Sequence, residues 1–333
     1  MACNLYNVYY NIKMGARMNN QDSEIFKDSL KHHNISGIQS VPKSDLHNHF
    51  VLGGNRKFIE QHTGHQILPM RGIAASMKAM DKWNAEYLGA RFDSTEMRKL
   101  LIDAAFYQAK IDGITILEIG EDVWGLGQYF HNDVNALIEA FSTAHKFIAP
   151  NIELRLQIGL SRHCPISYLE TCLDPFWERN EFYSIDLYGN ELAQPIENFV
   201  PIYRKAEKYG LKLKAHIGEF GTADDIEKGV DLLHLNEVQH GIAAVDSIRV
   251  MDYLLKNHIR LNITPTSNIK LGRVSNYSNH PIQRLFRHGI NVTINSDDVL
   301  MFDSDVSKEY IRLYQHGTLT ADELDEIRIN GLS

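Results

Sequence analysis

Two histidines, His47 and His49, flank a single residue near the end of the stretch VPKSDLHNHF. Side chains alternate between the two faces of a β-strand, so residues two positions apart point the same way. The two imidazoles would then lie side by side, which is poor for packing and good for holding a metal ion. A pair of surface histidines at a strand end is the alternative interpretation of this stretch.

Further polar residues follow other strand-like runs. His216 and Glu219 lie in AHIGE, His240 lies in VQHG, and Asp297 and Asp298 lie in NSDD. A lone histidine at a strand end is more often a hydrogen-bonding or surface residue than a ligand. Two aspartates before a helix commonly cap its first turn. Only if these strand ends meet on one face of the molecule does a common site follow.

The chemistry of this set is specific. Three neutral imidazoles and one carboxylate suit Zn²⁺ and leave an open position for water, whose pKa falls towards about 7 when zinc binds it. Glu219 follows His216 by three residues and could carry protons, while His240 could orient or deprotonate the water. Asp297 could bind the metal while Asp298 faces another part of the pocket. Metal-assisted hydrolysis is the reaction class that this set predicts.

The elements that would position these residues alternate along the chain. Helix-like segments such as 197–210, 247–258 and 280–289 separate the strand-like runs, and Gly210 is well placed to end the first of them. This alternation predicts parallel βα units, and eight strands are the number that closes a (β/α)8 barrel, although a doubly wound open sheet fits the same pattern. In a barrel, the C-terminal strand ends form the active-site face. The eight predicted strands are 44–50, 114–120, 152–160, 183–189, 211–218, 237–242, 259–265 and 290–297.

Two stretches exceed simple connections between strands. The first 43 residues and residues 55–113 are expected to form extra helices around the C-terminal mouth of the barrel. Nothing in the composition marks a linker, so we expect residues 1–40 to be a helical extension and residues 41–333 to be a single domain.

Composition excludes several other classes of function. The 333-residue chain is 44% hydrophobic and 23% charged, with a net charge of −8 and no Lys/Arg-rich run, which argues against nucleic-acid or anionic-membrane binding. Cys3, Cys164 and Cys172 are too few for a disulfide framework or a cysteine-based zinc site. The sequence has neither a membrane-length apolar stretch nor a signal-peptide pattern at its start, so a reduced, cytoplasmic setting is expected.

The sequence resembles the adenosine deaminase family, the metal-dependent (β/α)8 deaminases of the amidohydrolase superfamily. The resemblance rests on a set of strings in the family's order over residues 41–333. They are PKSDLHNHF, SRHCP, IDLYGNE, AHIGE, VQHG, TPTSN, HPIQRLFRHGINVTINSDD and RINGLS. The combination is specific, although no single string is.

The resemblance implies a role for each matching residue. Glu219 matches the acid that protonates the purine N1 as hydroxide attacks C6, and His240 matches the histidine that activates or orients that hydroxide. Asp298 matches the carboxylate that hydrogen-bonds the purine N7, and Gly189 matches the backbone donor to N3. One zinc ion per chain is implied, and its ligands match His47, His49, His216 and Asp297.

Departures from the family pattern concern the substrate. The family's HLDG is HFVLGG here, so Val51 or Leu52 replaces the acidic residue expected near the ribose 5′-hydroxyl. Ile217 replaces an alanine, Val299 replaces a proline, and EIGEDVWG lacks the arginine and proline of the family's EVRxxP. These changes leave the expected chemistry intact and predict a rebuilt pocket around the sugar.

The leading hypothesis is deamination of adenosine or 2′-deoxyadenosine to the 6-oxo nucleoside. The same chemistry on adenine, AMP or a 5′-modified or N6-substituted adenosine is the alternative, because the acidic residue near the ribose is missing. A catalytically silent purine-binding protein and a superfamily hydrolase acting on an amide or ester rank lower. In each deaminase hypothesis the partner is a small-molecule purine, with neither a nucleic acid nor a membrane involved.

Overall fold

The computed structural model describes residues 20–74 and 77–333. Eight parallel strands form one sheet, in which the strands pair in chain order from β1 to β8. Because all strands run in one direction, their C-terminal ends lie on the same side of the sheet. The strands are β1 (Lys43–Asp45), β2 (Ile114–Asp122), β3 (Glu153–Ser161), β4 (Phe182–Tyr188), β5 (Lys212–Ile217), β6 (Glu237–His240), β7 (Arg260–Ile263) and β8 (Val292–Ile294).

The first and last strands approach each other at their C-terminal ends. Asn48 and Asp297 form an isolated parallel bridge, and the Asp297 N–H donates to the carbonyl of His47 over 2.9 Å. Below them, the Leu46 N–H donates to Asn295 Oδ1 over 2.8 Å. These contacts nearly close the sheet, which confirms the predicted (β/α)8 barrel and excludes the open sheet.

Helices follow the strands and surround the barrel. Within residues 20–74 and 77–333, every helix falls short of the length and apolar character that crossing a membrane requires. The helices are α1 (20–31), α2 (Ile35–Gln39), α3 (Arg56–Thr63), α4 (Met77–Tyr87), α5 (Thr95–Ile111), α6 (Val123–Phe130), α7 (Val134–Ile148), α8 (Ile166–Leu173), α9 (Val200–Lys208), α10 (Ala223–Leu233), α11 (Ile248–Lys256), α12 (Pro265–Lys270), α13 (Ile282–Arg287), α14 (Val299–Phe302), α15 (Val306–Gln315) and α16 (Ala321–Asn330).

Local sequence signals explain where these helices begin and end. The predicted helix over 197–210 is a short 3₁₀ turn followed by α9, and the chain leaves it at Gly210, whose φ of +76° favours glycine. Helix α10 begins with a capping box, in which Thr222 and Asp225 each accept a hydrogen bond from the other's backbone N–H.

The residues before β1 lie at the end of the barrel opposite its mouth. Lys43 Nζ donates to the carbonyl of Ile38 over 2.9 Å, and the Gln39 carbonyl lies so close to Gly113 that an added Cβ would come within 1.8 Å of it. Since Lys43 and Gly113 mark the N-terminal ends of β1 and β2, helix α2 covers the bottom of the barrel. The expectation that the first 43 residues surround the mouth was therefore wrong for α2, and residues 1–19 lie outside the described part of the chain.

The stretch 55–113 does contribute to the mouth. Met80 and Asn84 of α4 and Phe92 of the following 3₁₀ turn line the cavity above the strand ends. Trp83 Nε1 donates to the carbonyl of Leu68 over 3.0 Å and ties α4 to the loop before it. The position of the extra helices was therefore predicted correctly for this stretch.

The barrel interior is polar beneath its mouth. Lys214 of β5 is fully buried, lies 2.9 Å from Glu118 and 3.4 Å from Glu237, and donates to the carbonyl of Leu46 over 2.8 Å. A buried charge is tolerated when it is paired and hydrogen-bonded in this way. The network connects β1, β2, β5 and β6 directly below the residues that carry the predicted chemistry.

Candidate metal-dependent active site

The C-terminal strand ends bring the predicted site residues together. Seven of the eight line one cavity of about 540 Å³, and His47 lies just below its floor, with its ring centroid 4.6 Å from those of His216 and His240. The residues on the cavity wall are His49, Gly189, His216, Glu219, His240, Asp297 and Asp298. The convergence of strand ends predicts this common position for residues from four separate segments of the chain, and the family resemblance adds Gly189 from a fifth.

Nitrogen and oxygen atoms converge at the centre of this cluster. The Nε2 atoms of His49 and His216 are 3.2 Å apart, and His49 Nε2 lies 3.6 Å from Asp297 Oδ1. His47 belongs to a group with His49 and His216, and to another with His240 and Asp297, whose ligand atoms all lie within 4.8 Å of one another. Such spacing allows one ion to contact several of these atoms.

Hydrogen bonds to the Nδ1 atoms of His47 and His216 leave the Nε2 atom of each ring free to bind a metal ion. His47 Nδ1 donates to the carbonyl of Asn262 over 3.1 Å, and His216 Nδ1 donates to Asp186 Oδ1 over 3.3 Å. A neutral imidazole with its proton on Nδ1 has a lone pair on Nε2, and among the described residues nothing hydrogen-bonds the buried Nε2 of His47. Metal-binding histidines are oriented in this manner, so these residues fit a metal ion.

The electrostatics give the cluster neutral rings and one anion. Burial lowers the pKa of His47 well below its usual range, and the neighbouring rings of His216 and His240 lower it further. Burial favours the protonated form of Asp297, but positive charge on His49 and His240 outweighs it and lowers the pKa of this carboxyl; a cation bound beside neutral rings would act in the same direction. Neutral imidazoles with an ionised carboxylate are the donor set that zinc takes in hydrolytic sites.

Two site residues have strained backbones. His240 and Asp297 have φ values of +63° and +60°, in the left-handed region that residues other than glycine rarely adopt. Each such residue costs on the order of 1–3 kcal/mol and persists only where its surroundings enforce it. The strain turns both side chains towards the same point, and it falls on two residues that were selected from the sequence for their chemistry.

Glu191 holds the turn that carries Glu219. Its carboxylate is buried and accepts four backbone hydrogen bonds of 2.7 to 3.1 Å from consecutive residues after β5. A carboxylate that accepts several N–H groups fixes the backbone around it more firmly than a neutral acceptor would. The four donors are Gly218, Glu219, Phe220 and Gly221.

Two carboxyl groups in the cavity favour their protonated forms. Burial raises the pKa of Glu219 well above its usual range, and the charges of Asp297 and Glu191 raise it further. Glu219 Oε1 lies 3.5 Å from His240 Nε2 and has no hydrogen-bond partner among the described residues. Burial, followed by the adjacent charge of Asp297, likewise raises the pKa of Asp298. Both carboxyls can therefore donate a proton or a hydrogen bond to a bound molecule.

The remaining wall of the cavity is mostly apolar and acidic. Val51, Leu52 and Trp124 contribute apolar surface, and Arg98 is the single lysine or arginine among the described lining residues. The Arg98 guanidinium makes two 2.6 Å hydrogen bonds to the Glu121 carboxylate, so its charge is already paired. A neutral ligand suits this wall better than an anionic one.

Three residues that position the site residues were not predicted from the sequence. Asp186 in β4 contacts His216, Glu191 holds the 218–221 turn, and Asn268 Nδ2 donates to His240 Nδ1 over 3.2 Å. A carboxylate inside the apolar run YSIDLYG was a signal for Asp186. Glu191 lies in the loop after β4 and Asn268 lies in α12, and only their places in IDLYGNE and TPTSN set them apart.

Comparison with known proteins decides the family. The family description "Adenosine deaminase" matches residues 127–333. The chain belongs to the adenosine deaminase family. A Treponema pallidum protein provisionally named as an adenosine/adenine deaminase is 30% identical over 285 residues, which are 85% of this chain and 94% of that protein.

Solved structures agree with the fold of this adenosine deaminase family member. An adenine deaminase from Arthrobacter aurescens has a TM-score of 0.75 at 23% identity and covers 87% of this chain and 92% of its own. An amidohydrolase from Burkholderia ambifaria with bound Zn has a TM-score of 0.74 at 22% identity and covers 89% of this chain and 85% of its own. The family membership confirms the resemblance and makes the protein a hydrolase that acts on C–N bonds of cyclic amidines.

Proposed function

We propose that this protein is a zinc-dependent aminohydrolase that converts adenosine or 2′-deoxyadenosine to the 6-oxo nucleoside and ammonia. One observation carries the proposal. A carboxyl that favours its protonated form, Glu219, lies 3.5 Å from His240 Nε2 beside the histidine and Asp297 cluster, in a cavity large enough for a nucleoside.

The metal would be held by three neutral imidazoles and one ionised carboxylate. A zinc ion held there would lower the pKa of a bound water towards about 7 and so would supply a nucleophile at neutral pH. The buried, unpartnered Nε2 of His47 and the 3.2 Å approach of two other Nε2 atoms support this assignment. The proposed ligands are His47, His49, His216 and Asp297.

The chain's own groups would manage the protons. As oxygen adds to C6, Glu219 gives its proton to N1, which relieves the negative charge that would otherwise build up on the ring. The Glu219 carboxylate then takes a proton from the added oxygen and passes it to the amino group. The C6–N bond breaks, ammonia leaves, and the 6-oxo product keeps its proton on N1. The proton that the next water loses on ionisation would restore the protonated form of Glu219.

Two further residues would orient the purine. A protonated Asp298 can donate to the lone pair of N7, which an ionised carboxylate could not do, and its Oδ1 has no partner among the described residues. Gly189 lines the cavity with a φ of +88°, a conformation that suits glycine and directs its backbone at the ligand. We therefore assign these residues to N7 and N3, as the family resemblance predicts.

The charge of the cavity argues against a nucleotide substrate. Seven carboxyl groups are among its described lining residues, and Arg98 is already paired with Glu121. A phosphate monoester would find no unpaired lysine or arginine among the described lining residues to bind it. We therefore expect AMP to be a poor substrate.

Adenine is the second candidate, and it rests on a specific observation. Val51 and Leu52 line the cavity where the family pattern has an acidic residue for the ribose 5′-hydroxyl. A free base has no such hydroxyl to hold. The provisional name of the Treponema pallidum relative includes both substrates, which is consistent with either candidate.

A release assay tests the proposal. Zinc-loaded protein is incubated with adenosine, 2′-deoxyadenosine, adenine and AMP, while ammonia and the loss of 6-aminopurine absorbance are followed. Glu219→Gln protein with the same zinc content is the control for contaminating deaminase. Turnover of the nucleosides supports the first candidate, and turnover of adenine alone supports the second. Preference for AMP would contradict the charge argument, and no turnover of any purine by zinc-loaded protein would overturn the deaminase proposal.

A further inference from the structure

His280 lies at the beginning of α13, and the backbone there dictates its tautomer. The Ile282 N–H, at the free N-terminal end of that helix, donates to His280 Nδ1 over 3.1 Å. Burial lowers the pKa of His280 to about 3, so the ring is neutral. Because Nδ1 accepts a backbone hydrogen bond, the single ring proton must be on Nε2.

That proton orients the amide of Asn268. His280 Nε2 lies 3.3 Å from Asn268 Oδ1, and both side chains are buried, with 2% and 0% of their surface exposed. An Nε2–H donor requires the amide oxygen opposite it, so the amide nitrogen must point the other way. Asn268 thus presents its N–H groups towards the active site.

The amide nitrogen in turn orients the active-site histidine. Asn268 Nδ2 donates to His240 Nδ1 over 3.2 Å, which places the proton of neutral His240 on Nε2. Two oxygens that can accept a hydrogen bond face that nitrogen, Oε1 of the Glu219 carboxyl at 3.5 Å and Oδ2 of the Asp297 carboxylate at 4.0 Å. The protonated nitrogen therefore points at acceptors and at the centre of the site.

Thr264 is the one other described group hydrogen-bonded to His240 Nδ1, and it does not decide the tautomer. Its Oγ1 lies 3.0 Å from His240 Nδ1 and 3.2 Å from Asp297 Oδ2. The hydroxyl has one proton: it donates to Nδ1 of the Nε2–H tautomer, or it donates to Asp297 and accepts from Nδ1 of the other tautomer, so it adapts to either state of the ring. Asn268 cannot adapt, because its orientation is fixed by His280.

We infer that Asn268 and His280 are positioning residues that hold His240 as the Nε2–H tautomer. In this state His240 donates a hydrogen bond to the attacking oxygen and cannot accept a proton from it, so the proton transfers belong to Glu219. The inference rests on the proposed function for its role in turnover. The tautomer itself is a property of the folded protein and does not depend on any substrate.

Nitrogen NMR of histidine-labelled, zinc-loaded protein measures the tautomer directly. The signals of His240 are assigned by their loss in a His240→Asn variant. We expect an unprotonated Nδ1 and a protonated Nε2 in the unsubstituted protein. A protonated Nδ1 there would overturn the inference, and this result needs no variant of Asn268 to fold.

Asn268→Asp tests the cause of the tautomer. A carboxylate accepts from both neighbours, so we expect the His240 proton to move to Nδ1 and kcat to fall on the order of 10²-fold or more, with zinc content unchanged. Thr264→Val is the matched control, because it also removes a contact to Nδ1 and should leave the proton on Nε2. An Asn268→Asp protein that keeps the proton on Nε2 would refute the relay, whether or not any purine is turned over.

Discussion

At the scale of single residues, the site depends on which groups carry protons. The pKa values of His47 and Asp297 are lowered and that of Glu219 is raised, so a neutral ring, an anion and an acid lie within one small volume. Burial is the largest influence in all three cases. It sets the direction of the shift for His47 and Glu219, whereas neighbouring groups reverse its effect for Asp297. Substitutions that keep the shape of a side chain and remove its ionisable group therefore test the proposed mechanism best.

Glu219→Gln keeps the size of the side chain and removes its acidic proton. We expect kcat to fall on the order of 10²- to 10⁴-fold, because the amide cannot protonate N1, while bound zinc stays at one ion per chain. Steady-state kinetics and elemental analysis measure the two quantities. Near-normal turnover by this variant would remove Glu219 from the mechanism.

Asp297→Ala removes the proposed anionic ligand. We expect zinc content well below one ion per chain and a lower Tm in the presence of zinc, since metal bound only to the folded state contributes up to about 4 kcal/mol at a thousandfold excess over Kd. Asp298→Asn is the matched control, because the adjacent carboxyl is assigned to the purine and its loss should leave the zinc in place. Equal zinc content in the two variants would contradict the ligand assignment.

At the scale of elements, the turn at residues 218–221 connects the fold to the chemistry. It links β5 to α10, carries Glu219, and is held by four backbone hydrogen bonds to the Glu191 carboxylate. Glu191 itself follows β4, so neighbouring strands of the barrel jointly set the position of the proposed acid. The precision of the site thus comes from the sheet and not from the turn alone.

Glu191→Gln tests this support. The amide oxygen of the glutamine can accept some of the four backbone hydrogen bonds, but the amide NH₂ group faces at least one backbone N–H and cannot accept from it. We therefore expect kcat to fall about tenfold or more with KM nearly unchanged. Removing the charge of Glu191 also lowers the pKa of Glu219, whose protonated form is the active one. The alkaline fall in kcat should therefore move to lower pH.

Glu197→Gln is the control for that substitution, because Glu197 is exposed in the 3₁₀ turn before α9. It should leave both kcat and the pH profile as they are. If Glu191→Gln lowered Tm and left the pH profile in place, the carboxylate would have only a structural role.

The same elements show what the sequence could predict. Each of the eight strands was predicted from an apolar run, because the run of apolar residues is itself the local cause of a buried parallel strand. Helix α2 was predicted at the mouth of the barrel and lies at its bottom. Its position depends on contacts such as that of Lys43 with Ile38, which no local sequence pattern encodes. The periodicity of apolar residues in the sequence determines whether a helix or a strand forms, but it does not determine where that element packs.

The residues of the site likewise fall into a group that the sequence predicts and a group that it does not. His216 and His240 were found because strand ends of a parallel barrel converge on one face, which makes their common location a matter of topology. Asn268 of α12 and His280, which precedes α13, act through hydrogen bonds between separate elements, and their geometry follows from tertiary packing. A sequence motif could identify these residues as unusual without showing what they contact.

At the scale of the whole molecule, buried ionisable groups couple stability to pH. Glu309 of α15 is fully buried, accepts the Thr266 N–H over 3.1 Å, and has a pKa raised to about 7, chiefly by burial. The folded state therefore binds the Glu309 proton more tightly than the unfolded state does. Stability is lost as the pH rises from about 4.5 to about 7, and the loss persists above that range.

Glu309→Gln removes this pH dependence while keeping an acceptor for Thr266. Relative to the unsubstituted protein, we expect the free energy of unfolding of the variant to gain about 3 kcal/mol between about pH 5 and about pH 8. Denaturant titrations of both proteins in the same buffers measure the difference, so that changes in metal binding cancel. A constant difference across this range would show that Glu309 stays ionised in the folded protein.

The closure of the barrel has a consequence for the folding of the chain during its synthesis on the ribosome. Beyond the ends of the first and last strands, the Asp297 N–H donates to the His47 carbonyl beside the Asn48–Asp297 bridge, although about 250 residues separate them in the chain. Ribosomes make the N-terminal half first, so a nascent chain displays the two histidines after β1 long before their carboxylate partner has been synthesised. The proposed zinc site can therefore be completed only after β8 has emerged, and enzyme activity in the cell should appear only with chains that have been translated past Asp297.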